Sequence, residues 1–205
     1  MPKTLDILNT LWSIVTNYSA FASMGHAAIY LLLAFVITVW HPSNKILILL
    51  LNLPILSVAI FAWLSGNPFN GTFFSILTIL AFIFGLRASA NPISFSNLPF
   101  LIAGIIMVVF GLVYPHFINA DSFIKYLYAS PVGLIPCPTL SLIIRFALIF
   151  NGFGSQSITI SLTAFGLFYG IFGVLKLAVH IDLFLLFGTL TLLIKYILTL
   201  RNPVL

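Results

Sequence analysis

Apolar residues run through this chain in long blocks separated by short polar breaks. A membrane-spanning helix needs about 20 mostly apolar residues. Seven stretches reach or approach that length: 22–40, 46–64, 68–86, 98–114, 130–150, 157–177 and 181–200. The breaks carry turn-forming residues: His41-Pro42-Ser43-Asn44, Ser65-Gly66-Asn67, the stretch 89–97, and Asn151-Gly152-Phe153-Gly154-Ser155. The pattern predicts an all-α polytopic bundle of about seven transmembrane spans, one integral membrane domain over 1–205. Merging or losing the third or fifth stretch leaves six. Ahead of the spans, Leu5, Leu8, Trp12 and Val15 fall at helical spacing, which predicts an amphipathic helix lying in the headgroup region. The longest connection, 114–129, interleaves Phe117, Ile118, Phe123 and Tyr126 with Asn119, Asp121, Ser122 and Lys125. It predicts a re-entrant or surface helix at the bilayer interface.

Composition sharpens this picture. The chain is 61% hydrophobic and 5% charged, with three acids and eight bases among 205 residues. A soluble domain carries about 25% charged residues, so a soluble globular enzyme and a disordered chain are excluded. The bases are scattered, and no basic patch for nucleic acid exists. One cysteine, Cys137, excludes an intramolecular disulfide. The first 20 residues carry Lys3 but no apolar core followed by a small-residue cleavage site, so no cleaved signal peptide is expected. With seven spans, Lys3, Lys125 and Lys176 fall on the N-terminal side, and Lys45, Arg87, Lys195 and Arg201 on the other. Bases in short loops favour the cytoplasm, which predicts a cytoplasmic (inner) membrane protein with its N-terminus outside and its C-terminus in the cytoplasm.

The fifth stretch holds Pro131-Val132-Gly133-Leu134-Ile135-Pro136-Cys137-Pro138-Thr139. Each proline removes an N–H and clashes with the preceding turn, so the span is predicted to break, with a helix from about Pro138 onward. Irregular backbone at membrane depth is tolerated only inside protein or beside a wet cavity. The carbonyls of Ile135 and Pro136, the helix-start N–H groups, Thr139 and Cys137 would then point inward. One reading makes this a site for a small solute or a soft metal ion, copper(I) or zinc. The other leaves Cys137 a small buried hydrophobe beside a kink. His26, His116, Asp121, Cys137, His180 and Asp182 all fall toward one side of the seven-span arrangement. Cys137, His180 and His116 are the candidate metal ligands, although no HxxxH or CxxC spacing accompanies them. His180-Ile181-Asp182 serves equally as a helix start, with Asp182 at its positive end.

Arg145 lies inside a span, about 8 Å from its inner end, a distance its side chain covers by snorkelling. A span beginning at Thr139 would instead bury it and require a partner such as Asp182 or Asp121. Lys195 is expected to snorkel. Gly166 and Gly170, with Gly173 nearby, form a small-residue stripe that packs helices closely, within the chain or across a homo-oligomer. Ser157, Thr159, Ser161 and Thr163 alternate with apolar residues. In lipid they belong to a helix, lining a polar seam or bonding back to their own carbonyls. The sequence has no Glu, HExxH, Walker loop or GxSxG. An intramembrane enzyme would have to use His, Asp, Cys137 or Arg145 in an unfamiliar arrangement.

The motif Gly133-Leu134-Ile135-Pro136-Cys137-Pro138-Thr139 carries a resemblance. So do Tyr114-Pro115 and the run from Leu167 to Leu183 with its Gly170, Gly173 and Asp182. Over roughly 110–200 the chain resembles a family of small prokaryotic polytopic membrane proteins known only as domain of unknown function 6064. Arg145 and Lys176 stand where that pattern has small or apolar residues, which argues against Arg145 as a shared functional group. The resemblance implies a membrane location and no activity, and it draws attention to Cys137 and Asp182. The proline–cysteine–proline order also resembles the cysteine–proline motifs of heavy-metal pumps, which carry a second ligand nearby where this chain has none.

Two functions are expected from these features. One is binding or transport of a small solute or metal ion at the broken helix, with Pro136, Cys137, Thr139, His180 and Asp182 at the site. The other is a non-catalytic membrane subunit or assembly factor packing against a larger membrane-protein partner.

Overall fold

In lipid, every backbone polar group must be satisfied within the protein, and a helix does this within one segment. The structure, a computed structural model, describes residues 4–112, 114–118, 123–126 and 128–201. Those residues form nine α-helices: α1 (Thr4–Asn17), α2 (Ser19–Thr38), α3 (Asn44–Leu64), α4 (Pro68–Arg87), α5 (Leu98–Leu112), α6 (Phe123–Tyr126), α7 (Pro136–Ile149), α8 (Gln156–Ile171) and α9 (Leu183–Arg201). There is no strand among them. The polar breaks supply the starts. Ser43 Oγ accepts from Ile46 N–H at 3.3 Å, Asn67 Oδ1 from Asn70 N–H at 3.1 Å, and Ser155 Oγ from Ile158 N–H at 3.4 Å. Each satisfies one of the donors that a helix start leaves over.

Five helical segments are long and apolar enough to cross a membrane: Ser19–Val36, Asn44–Leu64, Pro68–Arg87, Gln156–Lys176 and His180–Arg201. The other two expected spans are shorter apolar helices, α5 of 15 residues and α7 of 14. At 1.5 Å per residue, α7 is about 21 Å long, short of the roughly 30 Å hydrocarbon core.

The seven helices α2–α5 and α7–α9 run alternately between the same two ends of one bundle. At one end, backbone bonds tie the loops together. Asn44 N–H donates to Asn91 O (3.1 Å), Ile93 N–H to Pro42 O (2.9 Å) and Ser96 N–H to Ile149 O (2.8 Å). At the other end lie the α3–α4 turn, the starts of α7 and α9 and the end of α8, around a cavity. The helix α7 occupies the centre. Every residue from Pro138 to Ile149 is buried, among α3, α5, α8 and α9.

Three expectations change here. First, α1 is helical, but it turns Ile14, Leu11 and Val15 inward against Tyr114, Phe117, Leu134 and Leu177. Leu5 and Trp12 face outward. The helix carries two apolar stripes, and the packed one includes Ile7 and Leu11. Second, among the described residues of the connection after α5 the only helix is the single turn α6, and its residues 113, 119–122 and 127 lie outside the described set.

Third, neither intramembrane base snorkels. Arg145 is fully buried. Its Nε donates to Ser141 O at 3.0 Å, and one Nη donates to Met107 O and Val108 O, both at 3.1 Å. The close approach of α5 permits this: a Cβ on Gly104 would lie 2.7 Å from Ile149 Cγ1. Asp182 is not its partner, and Asp121 lies outside the described residues. Lys195 is also buried, with its Nζ 2.5 Å from Asn151 Oδ1 and 5.6 Å from the Phe100 ring centre. Asn151 reaches it from a turn with left-handed backbone at residues 151–154.

The glycine stripe of α8 is occupied within the chain. A Cβ on Gly166 would overlap Thr189 Oγ1 of α9, and one on Gly170 would lie 2.7 Å from Leu186 Cδ2. The hydroxyls of Thr159, Ser161 and Thr163 bond back to carbonyls four residues earlier at 2.8–2.9 Å. Replacing Gly170 by Leu forces α8 and α9 apart. Unfolding in detergent should show a loss of about 1–3 kcal/mol, and an unchanged midpoint would contradict this packing.

Candidate functional site

The broken entry to α7 is built from its own sequence. Ile135 is extended (φ −128°, ψ 156°) and Pro136 opens the helix. The first three N–H groups of a helix have no partner within it. Pro136 and Pro138 remove two of them, so only that of Cys137 is left. Thr139 closes the preceding turn. Its hydroxyl accepts from Gly133 N–H at 2.9 Å and donates to Ile135 O at 2.8 Å. Gly133 adopts φ +79°, a region open to glycine at no steric cost, and Ser57 Oγ of α3 donates to its carbonyl. The expected row of inward N–H groups is therefore reduced to one, and the Ile135 carbonyl is already used.

Next to this entry lies a cavity of about 530 Å³. Ile7 and Leu11 of α1 cover one side, and Ile135, Pro136 and Cys137 form another. Cys137 is the one partly exposed residue of the otherwise buried α7 start. The opposite wall comes from the end of α8, which loosens into a π-turn over Phe172–Lys176. Turns of this kind are frequent at functional sites. Leu177 N–H bonds Phe172 O at 3.2 Å and Val179 N–H bonds Gly173 O at 2.9 Å, and Ala178 adopts φ +55°. This irregular stretch delivers Asp182 to the cavity.

Asp182 is 2% exposed. Its Oδ1 accepts from the Tyr114 hydroxyl at 2.8 Å, and Cys137 lines the same cavity. Gly173 makes room for it, since a Cβ there would overlap Asp182 Oδ2 and lie 2.8 Å from Cγ. On the far side, Tyr169 donates to Asn70 Oδ1 at 3.0 Å, and both line the cavity with Asn67 and Phe69. The polar groups are few and the rest of the wall is apolar and aromatic, the usual character of a small-molecule site.

The structure thus brings Cys137, Pro136 and Asp182 into one cavity, with Gly173 behind the carboxylate. It leaves the other candidates outside. Thr139 is fully buried and holds the turn. His180 is exposed and does not line the cavity. His116 lies at the surface with the Phe117 ring 4.2 Å away. That partial burial lowers its pKa below the ordinary histidine value. Among the described residues, no three of His, Cys, Asp or Glu gather as a metal-ligand group. Sequence reasoning missed Tyr169, Asn70, Asn67 and Asp6. Only the helix-start pattern Asn67-Pro68-Phe69-Asn70 offered a signal, and it speaks of capping.

No family model matches the chain, and no curated protein or solved structure matches it.

Gly173→Ala tests the site's geometry. It should cost about 1–3 kcal/mol through overlap with Asp182. The cost should shrink in an Asp182→Ala background, giving a coupling of about 0.5–3 kcal/mol in a double-mutant cycle. Additive effects would show that the two residues do not meet.

Proposed function

We propose that this chain is a multi-pass membrane protein of about seven spans that binds a small solute at the broken start of α7 and moves it across the bilayer. The cavity beside Cys137, Asp182 and Tyr114 carries this reading. It is large enough for a small molecule, and it lies beside an interrupted helix, the feature that forms solute sites in transporters. The short α7 reaches across with the help of the irregular segment before it, as broken helices do.

A soft metal ion is the narrower form of this reading. Cys137 and Asp182 supply two donors, whereas zinc sites gather three or four protein ligands, so the apolar wall favours an organic solute. The likeness to the family of unknown function 6064 belongs to the same proposal and adds no activity. The alternative of a subunit in a larger assembly draws on α2, which exposes Met24, Leu31 and Phe35. Lipid chains cover such a face equally well.

Screening the detergent-solubilised protein against a small-solute library should find compounds that raise its unfolding midpoint. A compound at one hundred times its Kd adds about 2.7 kcal/mol. Ile7→Trp, which puts an indole into the cavity, should abolish that gain, and vesicles holding the unaltered protein should take the compound up. A protein whose stability no solute alters, and which copurifies in fixed ratio with another membrane protein, would overturn the reading in favour of the subunit.

A further inference from the structure

We infer that the solute of this cavity is an organic cation with an apolar body, an amine or quaternary ammonium. The inference rests on the solute-binding reading above and names the chemical class.

Acids are scarce in this chain: three, against eight bases. Yet two of the three, Asp6 and Asp182, line the same cavity. Among the described residues Lys176 is the only Lys or Arg that lines it, and its side chain, like that of Asp6, is exposed. Asp182 is buried, and the donor it accepts from, the Tyr114 hydroxyl, is neutral. A carboxylate has about four lone-pair directions, and this donor takes one of them. No Lys, Arg or His among the described residues pairs with it. A buried anion without a counter-charge is costly, and a cation arriving beside it supplies what the protein does not.

The rest of the wall suits the same guest. Phe69, Tyr114, Phe117, Tyr169 and Phe172 all line the cavity, and the Phe69 and Phe172 rings stand 5.8 Å apart. Aromatic faces attract cations within about 6 Å, and such walls are the known means of holding quaternary ammonium groups. An anionic solute would meet the buried Asp182 carboxylate and gain only the exposed Lys176. A purely apolar solute would leave Asp182 buried with no charge partner.

Cys137, the chain's single cysteine, gives a built-in reporter because it faces the cavity. Its alkylation by N-ethylmaleimide is timed in the detergent-purified full chain, with benzyltrimethylammonium or with its neutral carbon isostere, neopentylbenzene. Each rate is compared with that of the same protein without probe. The cation should protect at about tenfold lower concentration than the isostere, and Asp182→Asn should erase that difference. Equal protection by the two probes in the unaltered protein would overturn the cation inference and leave the solute site standing. Protection by neither would overturn the solute site as well. The comparison on the unaltered chain decides the matter even if the Asp182→Asn protein does not fold.

Discussion

The molecule is organised around a short helix that has no face to spare. Every residue of α7 from Pro138 to Ile149 is buried, so its start and finish must be satisfied by protein rather than by water or headgroups. At the start, two prolines delete orphan donors and Thr139 takes both ends of the remaining turn. At the finish, Ile149 O accepts from Ser96 N–H, and the chain leaves through a left-handed turn at Asn151–Gly154. The neighbouring helices are arranged to allow this. Glycines at 104 and 166 let α5 and α8 approach α7 closely.

The same constraint accounts for the buried bases and for the cavity. Because α7 is central, Arg145 cannot reach a headgroup, and the carbonyls of Met107 and Val108 on α5 accept its hydrogen bonds instead. Its Nη2 has no hydrogen-bond partner among the described residues. Because α7 is short, its extended approach leaves a space at one end of the bundle. The loosened end of α8 and the face of α1 enclose that space without filling it. Cys137 and Asp182 meet there since one begins α7 and the other precedes α9, and both helices begin at that end.

Much of the fold was legible in the sequence. Apolar length predicted every long helix, and the proline cluster predicted the break before α7. Hydroxyl alternation in α8 resolved into back-bonding, as a helix in lipid requires. What remained hidden was set by depth and rotation. Length alone does not tell whether Arg145 sits near a boundary or at the centre of a bundle, and α1 has two apolar stripes of which packing chooses one. Of the site, Cys137 and Asp182 stood out as rare residue types on one side of the bundle. Tyr169 and Asn70, 99 positions apart, carry no mark that would join them before the helices pack.

Amide hydrogen exchange of the protein in lipid nanodiscs reads how fully α7 is enclosed. Residues 140–149 should exchange most slowly, since that helix alone among the described ones is enclosed on all sides. Residues 130–135, beside the cavity, should exchange faster. Exchange of 140–149 at the rate of the loop over 89–97 would mean that α7 is open to water, and the bundle built around it would be wrong.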